Sequence, residues 1–220
     1  MTLELEHSEM LGGLYPYLEE LAGPQTGVLA EMEEYGRRRR FPIVGPLVGK
    51  FLMQLAMLRS ARHVLEIGSG YGYSAAWFLR AGPAVRVTCT DSSALNRERA
   101  MDFLSRLGMS DRVEFNVGDA LSLVEAMEGQ FDVIFCDIDK AKYPDAFRVG
   151  VPKLQRGGVF IADNALWRGF AWAPLREDVP EFRKRMLPGV REFNRLANGC
   201  SDVVTTVIPL RDGLSLSVKL

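Results

Sequence analysis

The fold of this chain is decided by one stretch, His63-Val64-Leu65-Glu66-Ile67-Gly68-Ser69-Gly70-Tyr71-Gly72-Tyr73-Ser74. A short apolar run with a single acid ends at the first of three glycines in alternate positions, which predicts a buried strand and a tight turn. The alanine- and leucine-containing segment from Ser74 to Ala81 predicts a helix. A strand that turns through glycines into a helix exposes backbone against which a ligand can lie. The stretch therefore predicts the first β–α turn of a domain that binds a nucleotide-like ligand.

The rest of the chain continues this alternation of strands and helices. Further strands are predicted at Val85–Thr90, Val113–Val117, Phe131–Cys136, Val159–Ala162, Val203–Ile208 and Leu214–Val218. Helices are predicted at Ala94–Leu107, Tyr143–Leu154 and Pro180–Asn198. The pair Gly157-Gly158 marks the start of the fifth strand, and Asp212-Gly213 is a hairpin signal between the last two strands. The pattern predicts an α/β fold with a doubly wound, mostly parallel sheet that ends in a hairpin with one reversed strand.

The residues before the first strand have a different character. We predict an N-terminal helical extension over residues 1–40 and a single globular domain over residues 41–220. Apolar residues recur at helical spacing at Leu11, Leu14, Leu18 and Leu21. Gly23-Pro24 then interrupts the helix, and further helices are predicted from Val28 to Arg38 and from Leu47 to Leu58.

Four consecutive arginines, Arg37 to Arg40, close the second of these helices. Such a cluster can bind an acidic substrate or RNA. It is also what a solvated helix end looks like, because positive charge suits the helix dipole at that end. Both interpretations stay open at the level of the sequence.

The composition is that of an ordinary globular protein. Hydrophobic residues make up 47% and charged residues 25%, and the formal net charge of −1 gives no global field that favours nucleic acid or a membrane. The three cysteines are Cys89, Cys136 and Cys200, and two of them fall within apolar runs, which predicts reduced thiols. No apolar window approaches the length of about 18 residues that a membrane span needs, and the first residues do not resemble a signal peptide. We therefore expect a cytoplasmic protein.

The glycine spacing bears on which ligand the first turn binds. A dinucleotide fingerprint requires Gly-x-Gly-x-x-Gly, but the position three after Gly70 is Tyr73. Asp91 ends the second strand, where an acid can accept hydrogen bonds from both ribose hydroxyls. Taken alone, these residues fit NAD or any adenosine ligand, and a structural turn without a ligand stays an alternative.

Acidic or amide residues follow four of the predicted strands, namely Asp91, Asp119, Asp137 and the pair Asp163-Asn164. Because the carboxyl ends of parallel strands meet at one edge of a sheet, three oxygen ligands from Asp137, Asp163 and Asn164 can converge there. Carboxylate and amide oxygens suit Mg²⁺, Ca²⁺ or Mn²⁺ better than zinc. The sequence therefore predicts a site for a divalent cation. A carboxylate that caps the next helix is the alternative for Asp137.

Several motifs, in this order, carry a specific resemblance. They are the glycine stretch, Phe131-Asp132-Val133-Ile134-Phe135-Cys136-Asp137-Ile138-Asp139-Lys140, Gly157-Gly158 through Asp163-Asn164-Ala165-Leu166-Trp167-Arg168-Gly169, and Asp212-Gly213-Leu214. The series resembles the cation-dependent O-methyltransferases of the catechol and caffeoyl-CoA type, which use S-adenosylmethionine. The resemblance extends from Pro42 to the C-terminus, and the preceding residues match only loosely.

The resemblance implies a seven-stranded, Rossmann-like class I methyltransferase fold and a set of site residues. Those implied to bind the methyl donor are Glu66, Gly68, Gly70, Gly72, Tyr73, Ser74, Asp91, Asp119, Ala120 and Asp137. The first six would border its methionine part, Asp91 its ribose, and Asp119 with Ala120 its adenine. Lys140 would be the general base beside Asp137, and Asn164 and Trp167 would contact the acceptor. An ordinary surface lysine paired with Asp139, and a core aromatic at Trp167, are the plainer alternatives.

The expected reaction is methyl transfer to a hydroxyl of a small aromatic acceptor with two adjacent hydroxyls, chelated by a divalent cation. The family also suggests a homodimer. Three rivals stay open: a methyltransferase that acts on RNA hydroxyls, an NAD-dependent oxidoreductase, and a non-catalytic binding module with a degenerate site. Tyr73 in place of the third glycine argues against the oxidoreductase.

Overall fold

The computed structural model describes residues 13–173 and 179–220. The earliest part of the predicted first helix, including Leu11, lies outside the described residues. So do residues 174–178 in the polar stretch that follows Trp172.

A seven-stranded sheet with the order β3-β2-β1-β4-β5-β7-β6 forms the centre of the molecule. Its strands are β1 His63–Ile67, β2 Arg86–Asp91, β3 Val113–Val117, β4 Phe131–Cys136, β5 Leu154–Ala162, β6 Val203–Ile208 and β7 Leu214–Lys219. Strands β1 to β5 pair in parallel, whereas β7 runs antiparallel to both β5 and β6. This confirms the predicted α/β class and the reversed strand of the C-terminal hairpin.

Helices cover both faces of the sheet. The first described helix, α1, covers residues 13–22. The others are α2 Gly27–Arg39, α3 Gly45–Leu58, α4 Tyr73–Leu79, α5 Ala94–Arg106, α6 Ala120–Ala126, α7 Tyr143–Gly150 and α8 Glu181–Gly199. Successive strand residues point to opposite faces, so Val64 packs with α2 to α5 while Leu65 packs with α6 to α8. The two apolar cores explain why the central strands read as continuous apolar runs.

The fifth strand begins earlier than the sequence predicts. Helix α7 ends at Gly150, and a 3₁₀ turn over Val151–Lys153 contains Pro152, which cannot donate the hydrogen bond that a longer helix needs. Strand β5 then starts at Leu154, which pairs with Phe131 before the register shifts. The predictions of a helix to Leu154 and a strand from Val159 were therefore wrong, because Gly157-Gly158 forms an irregularity within the strand and not its start.

Two smaller differences from the sequence prediction concern helices α3 and α6. Helix α3 begins at Gly45 with Pro46 in its first turn, a position where the missing N–H of proline costs nothing. The sequence pattern also gave no prediction of helix α6. Asp119 caps that helix, since its carboxylate accepts a hydrogen bond from the Ser122 backbone N–H at 3.1 Å.

The N-terminal helices pack onto the domain. Helices α1 and α2 are separated at Gly23-Pro24, as the sequence predicts. Leu29 and Met32 of α2 are buried in the core on the α4 side of the sheet, and the Tyr15 hydroxyl of α1 donates to the Pro209 carbonyl at 2.9 Å. The boundary at residue 40 between an extension and a domain stays a prediction.

Candidate functional site

The carboxyl ends of the parallel strands open onto a cavity of about 1080 Å³. The crevice lies where the chain switches direction, since β2 and β3 extend from one side of β1 while β4 and β5 extend from the other. Most of the predicted site residues line it: Gly68, Gly70, Tyr73, Ser74, Asp91, Asp119, Ala120, Asp137, Lys140, Asp163, Asn164 and Trp167. Glu66 and Gly72 are not among the lining residues. One cavity thus brings together residues that the sequence places on separate strand–helix connections.

The glycine loop, residues 68–72, turns in a way that only glycine adopts easily. Gly68, Gly70 and Gly72 have φ values of 90°, 52° and 82°. A Cβ on Gly68 would lie 2.7 Å from the Asp137 carbonyl oxygen, so this turn also allows the ends of β1 and β4 to approach each other. The backbone N–H groups of Gly68 and Ser69 both donate to the Thr90 carbonyl of β2.

Asp91 holds the same loop from the end of β2. Its Oδ2 accepts a hydrogen bond from the Gly70 N–H at 2.9 Å. Its Oδ1 accepts from the Ser93 N–H at 2.8 Å and from the Asn96 amide at 3.0 Å. Asp91 thus has a structural role that the sequence did not indicate, and these three bonds leave about one acceptor position, on Oδ2, for a ligand hydroxyl.

Glu66 is fully buried behind the glycine loop. Burial raises the pKa of this carboxyl to about 7, although the nearby hydroxyls of Ser74 and Ser69 and the Cys89 thiol lower it in part. The Cys89 thiol lies 3.7 Å from Oε2, and Oε1 has no hydrogen-bond partner among the described residues. A buried oxygen without a partner is costly, and the cost is removed when a donor reaches it.

Tyr73 and Ser74 begin helix α4 and differ in where their side chains go. The Tyr73 hydroxyl donates a 2.6 Å hydrogen bond to Glu33 of α2, and burial together with Glu33 raises its pKa above the ordinary value. Ser74 is buried and close to Glu66. The hydroxyl of Tyr73 is therefore committed to α2, and Glu33 is a contributor that the sequence pattern did not reveal.

Asp119 and Ala120 border the cavity just beyond the end of β3. Asp119 forms a 2.8 Å ion pair with Lys142, which lowers the pKa of this carboxyl to about 2. Lys142 also lines the cavity and was not predicted. Both partners are about half exposed, so the pair lies on the rim.

Asp137 and Asp163 end adjacent strands, and Lys140 lies between their charges. Lys140 Nζ is 2.5 Å from Asp137 Oδ1, and only 8% of the lysine is exposed. Burial alone would lower the pKa of Lys140, but the Asp137 and Asp163 charges outweigh burial and raise it above its ordinary value. Burial and the Asp137 charge also raise the pKa of Asp163. Lys140 and Arg211, which also lines the cavity, oppose this rise.

Tyr143 supports this corner from below, and the sequence pattern did not single it out. Its buried hydroxyl donates to the backbone carbonyls of Asp163 at 3.0 Å and of Cys136 at 3.3 Å. Its ring lies under the Lys140 ammonium, with Nζ 5.1 Å from the ring centroid. Tyr143 thus joins the ends of β4 and β5 and contacts the lysine between them.

Asn164 begins a strained loop, residues 164–168. Asn164, Trp167 and Arg168 have φ values of 58°, 46° and 54°, a region that residues other than glycine seldom adopt. Asp212, from the turn before β7, accepts a hydrogen bond from the Asn164 Nδ2 at 3.2 Å and another from the Arg168 backbone N–H. In the sequence Asp212 stands out only as a hairpin signal and part of a motif, and local pattern gives no sign of this contact.

Aromatic and apolar side chains line the side of the cavity near Trp167. Trp167 donates from Nε1 to the Arg183 carbonyl at 3.4 Å, which fixes its ring against α8. Phe41, Phe182 and Met186 also line the cavity. Trp172 is 70% exposed and is not a lining residue.

The donor set of Asp137, Asp163 and Asn164 consists of oxygen atoms only, two carboxylates and one amide. Within the described ranges there is no group of three or more histidines, cysteines, aspartates or glutamates that could hold a metal. A hard divalent cation here would therefore depend on the amide oxygen of Asn164 as well as on the two carboxylates, and such an all-oxygen set suits Mg²⁺, Ca²⁺ or Mn²⁺.

Other features of the sequence lie away from the cavity. Arg37 and Arg38 both pair with Glu34, and the Arg39 guanidinium lies 5.7 Å from the centroid of the Tyr35 ring. The three cysteines are free thiols, and Cys89 and Cys136 are buried, as predicted. None of the helices in the described part of the chain has the length and apolarity needed to cross a bilayer.

Comparison with known proteins gives consistent matches over nearly the whole chain. The sequence pattern of the O-methyltransferase family matches residues 20–220. A catechol O-methyltransferase of Niastella koreensis is 31% identical over 214 residues, which cover 92% of this chain and 94% of the relative. A caffeoyl-CoA O-methyltransferase of Populus kitakamiensis is 29% identical over 178 residues, which cover 78% of this chain and 76% of the relative.

A solved structure matches in three dimensions as well. It is the O-methyltransferase TomG of Streptomyces achromogenes, involved in tomaymycin synthesis, in complex with S-adenosylmethionine. The two chains superpose with a TM-score of 0.80 at 30% identity, over 92% of this chain and 94% of that one.

Proposed function

The chain belongs to the O-methyltransferase family, and from this premise we propose that it transfers the methyl group of S-adenosylmethionine to a small aromatic acceptor with two adjacent hydroxyls. Family membership confirms the resemblance read from the motifs and favours methyl transfer over the NAD-dependent alternative. The observation that carries the proposal is that the glycine loop and the acidic corner of Asp137, Asp163 and Asn164 face one cavity.

The residues around the glycine loop fit the methyl donor. S-adenosylmethionine, when bound, would supply a methyl group on a sulfonium: a nucleophilic oxygen attacks the methyl carbon, the C–S bond breaks, and S-adenosylhomocysteine leaves. At Gly68 and Gly70 a Cβ would collide with neighbouring atoms, so only glycine fits and the backbone stays accessible to a ligand. Oε1 of Glu66 has no hydrogen-bond partner among the described residues. Asp91 keeps an acceptor position on Oδ2 for a ribose hydroxyl, and Asp119 with Ala120 would border the adenine. These residues would bind and orient the donor.

The acidic corner fits a divalent cation, with Mg²⁺ as the proposed ion and Ca²⁺ or Mn²⁺ as alternatives. Asp137, Asp163 and Asn164 would hold it. A cation held there would lower the pKa of an acceptor hydroxyl and so favour its anion. The strands β4 and β5 hold the two carboxylates in place, since the Tyr143 hydroxyl joins their carbonyl ends.

Lys140 would accept the hydroxyl proton at Nζ. A phenol has a pKa near 10, so the acceptor hydroxyl must lose its proton before it attacks. With the Asp137 and Asp163 charges uncompensated, the pKa of Lys140 lies above its ordinary value and the amine is protonated. When those two negative charges are compensated, they no longer raise the pKa of Lys140, and burial lowers it. Lys140 would then be able to act as a base.

The ring of the acceptor would lie against Trp167 and the apolar side chains of Phe41 and Phe182. Flat apolar walls exclude water and restrict the ring to a few orientations. Because Trp167 is fixed by the Arg183 carbonyl, it can define one side of the acceptor site.

The proposal is tested by methyl transfer to a panel of catechols with and without EDTA. We expect transfer to stop with EDTA and to return when Mg²⁺ is added in excess. Asp163→Ala should reduce turnover about 100-fold or more, whereas Asp111→Ala, at an acid outside the cavity, should leave it unchanged. Turnover that is insensitive both to EDTA and to Asp163→Ala would exclude the cation from the reaction.

We also propose a homodimer, as the family resemblance suggests. Leu14 and Leu21 of α1 are exposed apolar residues that are available for such a contact. Sedimentation velocity of the full chain measures the mass, and a monomer at micromolar concentration would contradict this part of the proposal.

A further inference from the structure

Asp212 lies on the turn between β6 and β7, outside the strands that carry the acidic corner. Both of its carboxylate oxygens are used: Oδ2 accepts from the Asn164 side-chain Nδ2 at 3.2 Å, and Oδ1 accepts from the Arg168 backbone N–H. One carboxylate thus contacts two of the three residues with left-handed backbone in the loop 164–168.

The backbone of the same turn holds the loop as well. The Ala165 N–H donates to the Gly213 carbonyl and the Leu166 N–H to the Asp212 carbonyl, both at 2.9 Å. Gly213 has a φ of 85°, and a Cβ there would lie 2.8 Å from the Leu166 nitrogen. The strained loop therefore keeps its shape because this turn packs directly against it.

The contact with Asp212 decides which end of the Asn164 amide faces outward. An ionised carboxylate only accepts hydrogen bonds, so the amide must direct its NH₂ group toward Asp212. Its carbonyl Oδ1 then points away from Asp212, and a cation requires this oxygen and not the NH₂ group. We propose that Asp212 is a positioning residue that presents the Asn164 oxygen to the divalent cation. The inference rests on the proposed function, because the divalent cation is part of that proposal.

The substitution Asp212→Asn reverses this preference with little change in size. The Arg168 backbone N–H is a fixed donor, so the new amide keeps its oxygen on Arg168 and directs its NH₂ group at Asn164. Two NH₂ groups then oppose each other. Asn164 must turn its amide to relieve this, and the turn presents its NH₂ group to the cation.

The test measures binding of Mn²⁺ alone, without methyl donor or acceptor, from the electron paramagnetic resonance signal of free Mn²⁺. We expect Asp212→Asn to weaken binding about 10- to 100-fold, the range for residues that orient metal ligands. Asp212→Ser keeps an acceptor for Arg168 but does not repel the amide, so its loss should be smaller. Thermal unfolding of each variant checks that it is folded.

The decisive comparison places Asp212→Asn in an Asn164→Asp background. A carboxylate at position 164 is repelled by Asp212 but accepts a hydrogen bond from an amide at 212, so Asp212→Asn should strengthen Mn²⁺ binding there. If Asp212 merely added negative charge, or if the substitution merely damaged the loop, binding would weaken in both backgrounds. The same sign in both backgrounds overturns the inference. Absence of Mn²⁺ binding by the unaltered chain overturns the proposed cation, and the inference with it.

Discussion

The Tyr73 hydroxyl donates a 2.6 Å hydrogen bond to Glu33, so the first turn of helix α4 is joined to helix α2. The neighbouring Tyr71 hydroxyl donates to the Met32 carbonyl of the same helix at 2.8 Å. Tyr71 belongs to the glycine loop, and Tyr73 directly follows it. Helix α2 therefore helps to hold the glycine loop, which is proposed to bind the methyl donor.

Tyr73→Phe removes this hydrogen bond and leaves half-buried Glu33 without its donor. We expect the free energy of unfolding to fall by about 1–3 kcal/mol, the usual cost of an unpaired polar group of this kind. The dissociation constant for S-adenosylmethionine should rise, because the start of α4 is less firmly held. Urea unfolding and calorimetric titration measure the two effects. Tyr17→Phe, at an exposed tyrosine of α1, is the control and should change neither.

Gly68→Ala tests the close approach of β1 and β4. The added Cβ would meet the Asp137 carbonyl at 2.7 Å, in addition to the strain of a φ near 90°. Gly129 has a φ of 95° with no atom within 4 Å of a Cβ, so Gly129→Ala carries the strain alone. Both variants should lose about 1–2 kcal/mol of stability through strain. Only Gly68→Ala should also lose binding of the methyl donor, and equal binding by the two variants would show that the contact with Asp137 does not matter.

Glu66 makes stability depend on pH in a defined direction. Its pKa is raised from 4.5 to about 7, so between these values the unfolded chain releases a proton that the folded chain retains. Stability from this group therefore falls as pH rises through that window and levels off above it. The penalty at high pH is about 3 kcal/mol.

Glu66→Gln removes this dependence, because the amide does not ionise. Relative to the unaltered protein, the variant should gain about 3 kcal/mol between pH ~4.5 and pH ~8 in urea unfolding without ligand. Asp163 contributes in the same direction in both proteins and cancels in the difference. Glu98→Gln, at an exposed acid, should give a curve parallel to the unaltered one. A parallel curve for Glu66→Gln instead would mean that the Glu66 carboxyl is not protonated in the fold near neutral pH.

Lys140→Met tests the proposed base. The thioether keeps the apolar stem over Tyr143 but cannot accept a proton, so kcat should fall about 100- to 10,000-fold. The dissociation constant for the methyl donor should stay unchanged, because the proposed role of Lys140 is to take the proton of the acceptor hydroxyl. Single-turnover kinetics and calorimetric titration separate these quantities. Lys153→Met, at a lysine outside the cavity, should keep full turnover. Unchanged turnover in Lys140→Met would remove the base from the mechanism.

The arginines at positions 37–40 allow a test of the RNA rival. Arg37 and Arg38 share Glu34 as a partner, so part of their charge is already compensated. We expect no salt-sensitive band shift with total tRNA. The control variant replaces Arg185 and Arg195 of α8 with alanine. If a band shift is lost when the four arginines are replaced with alanine but is kept in the control variant, the RNA hydroxyl methyltransferase is favoured instead.

The sequence identified the residues that stand at the ends of strands. Asp137 and Asp163 follow buried apolar runs, and parallel strands must bring such residues to one edge. The glycine spacing was equally informative, because a backbone that takes positive φ at alternate positions favours glycine at each of them. These signals are local, and the topology converts them into a shared site.

Prediction from the sequence failed where one local signal has two meanings or where the partner is distant. Gly157-Gly158 resembles a strand start, but glycines also mark irregularities inside strands. Glu33 and Asp212 contact the site from elements far away in the chain, and neither has a neighbouring residue that reveals the contact. Side-chain hydrogen bonds of this kind are visible only once the elements are packed.

The reversed strand β7 also sets an order of events during synthesis. Strands β1 to β3 and the glycine loop leave the ribosome early and can pair among themselves, since their contacts are close in the chain. The loop 164–168 is different, because the turn that holds it emerges only with Asp212 and Gly213, after helix α8 and strand β6. A nascent chain halted before that turn would already contain the residues proposed to bind the methyl donor, but its proposed acceptor site would be incomplete.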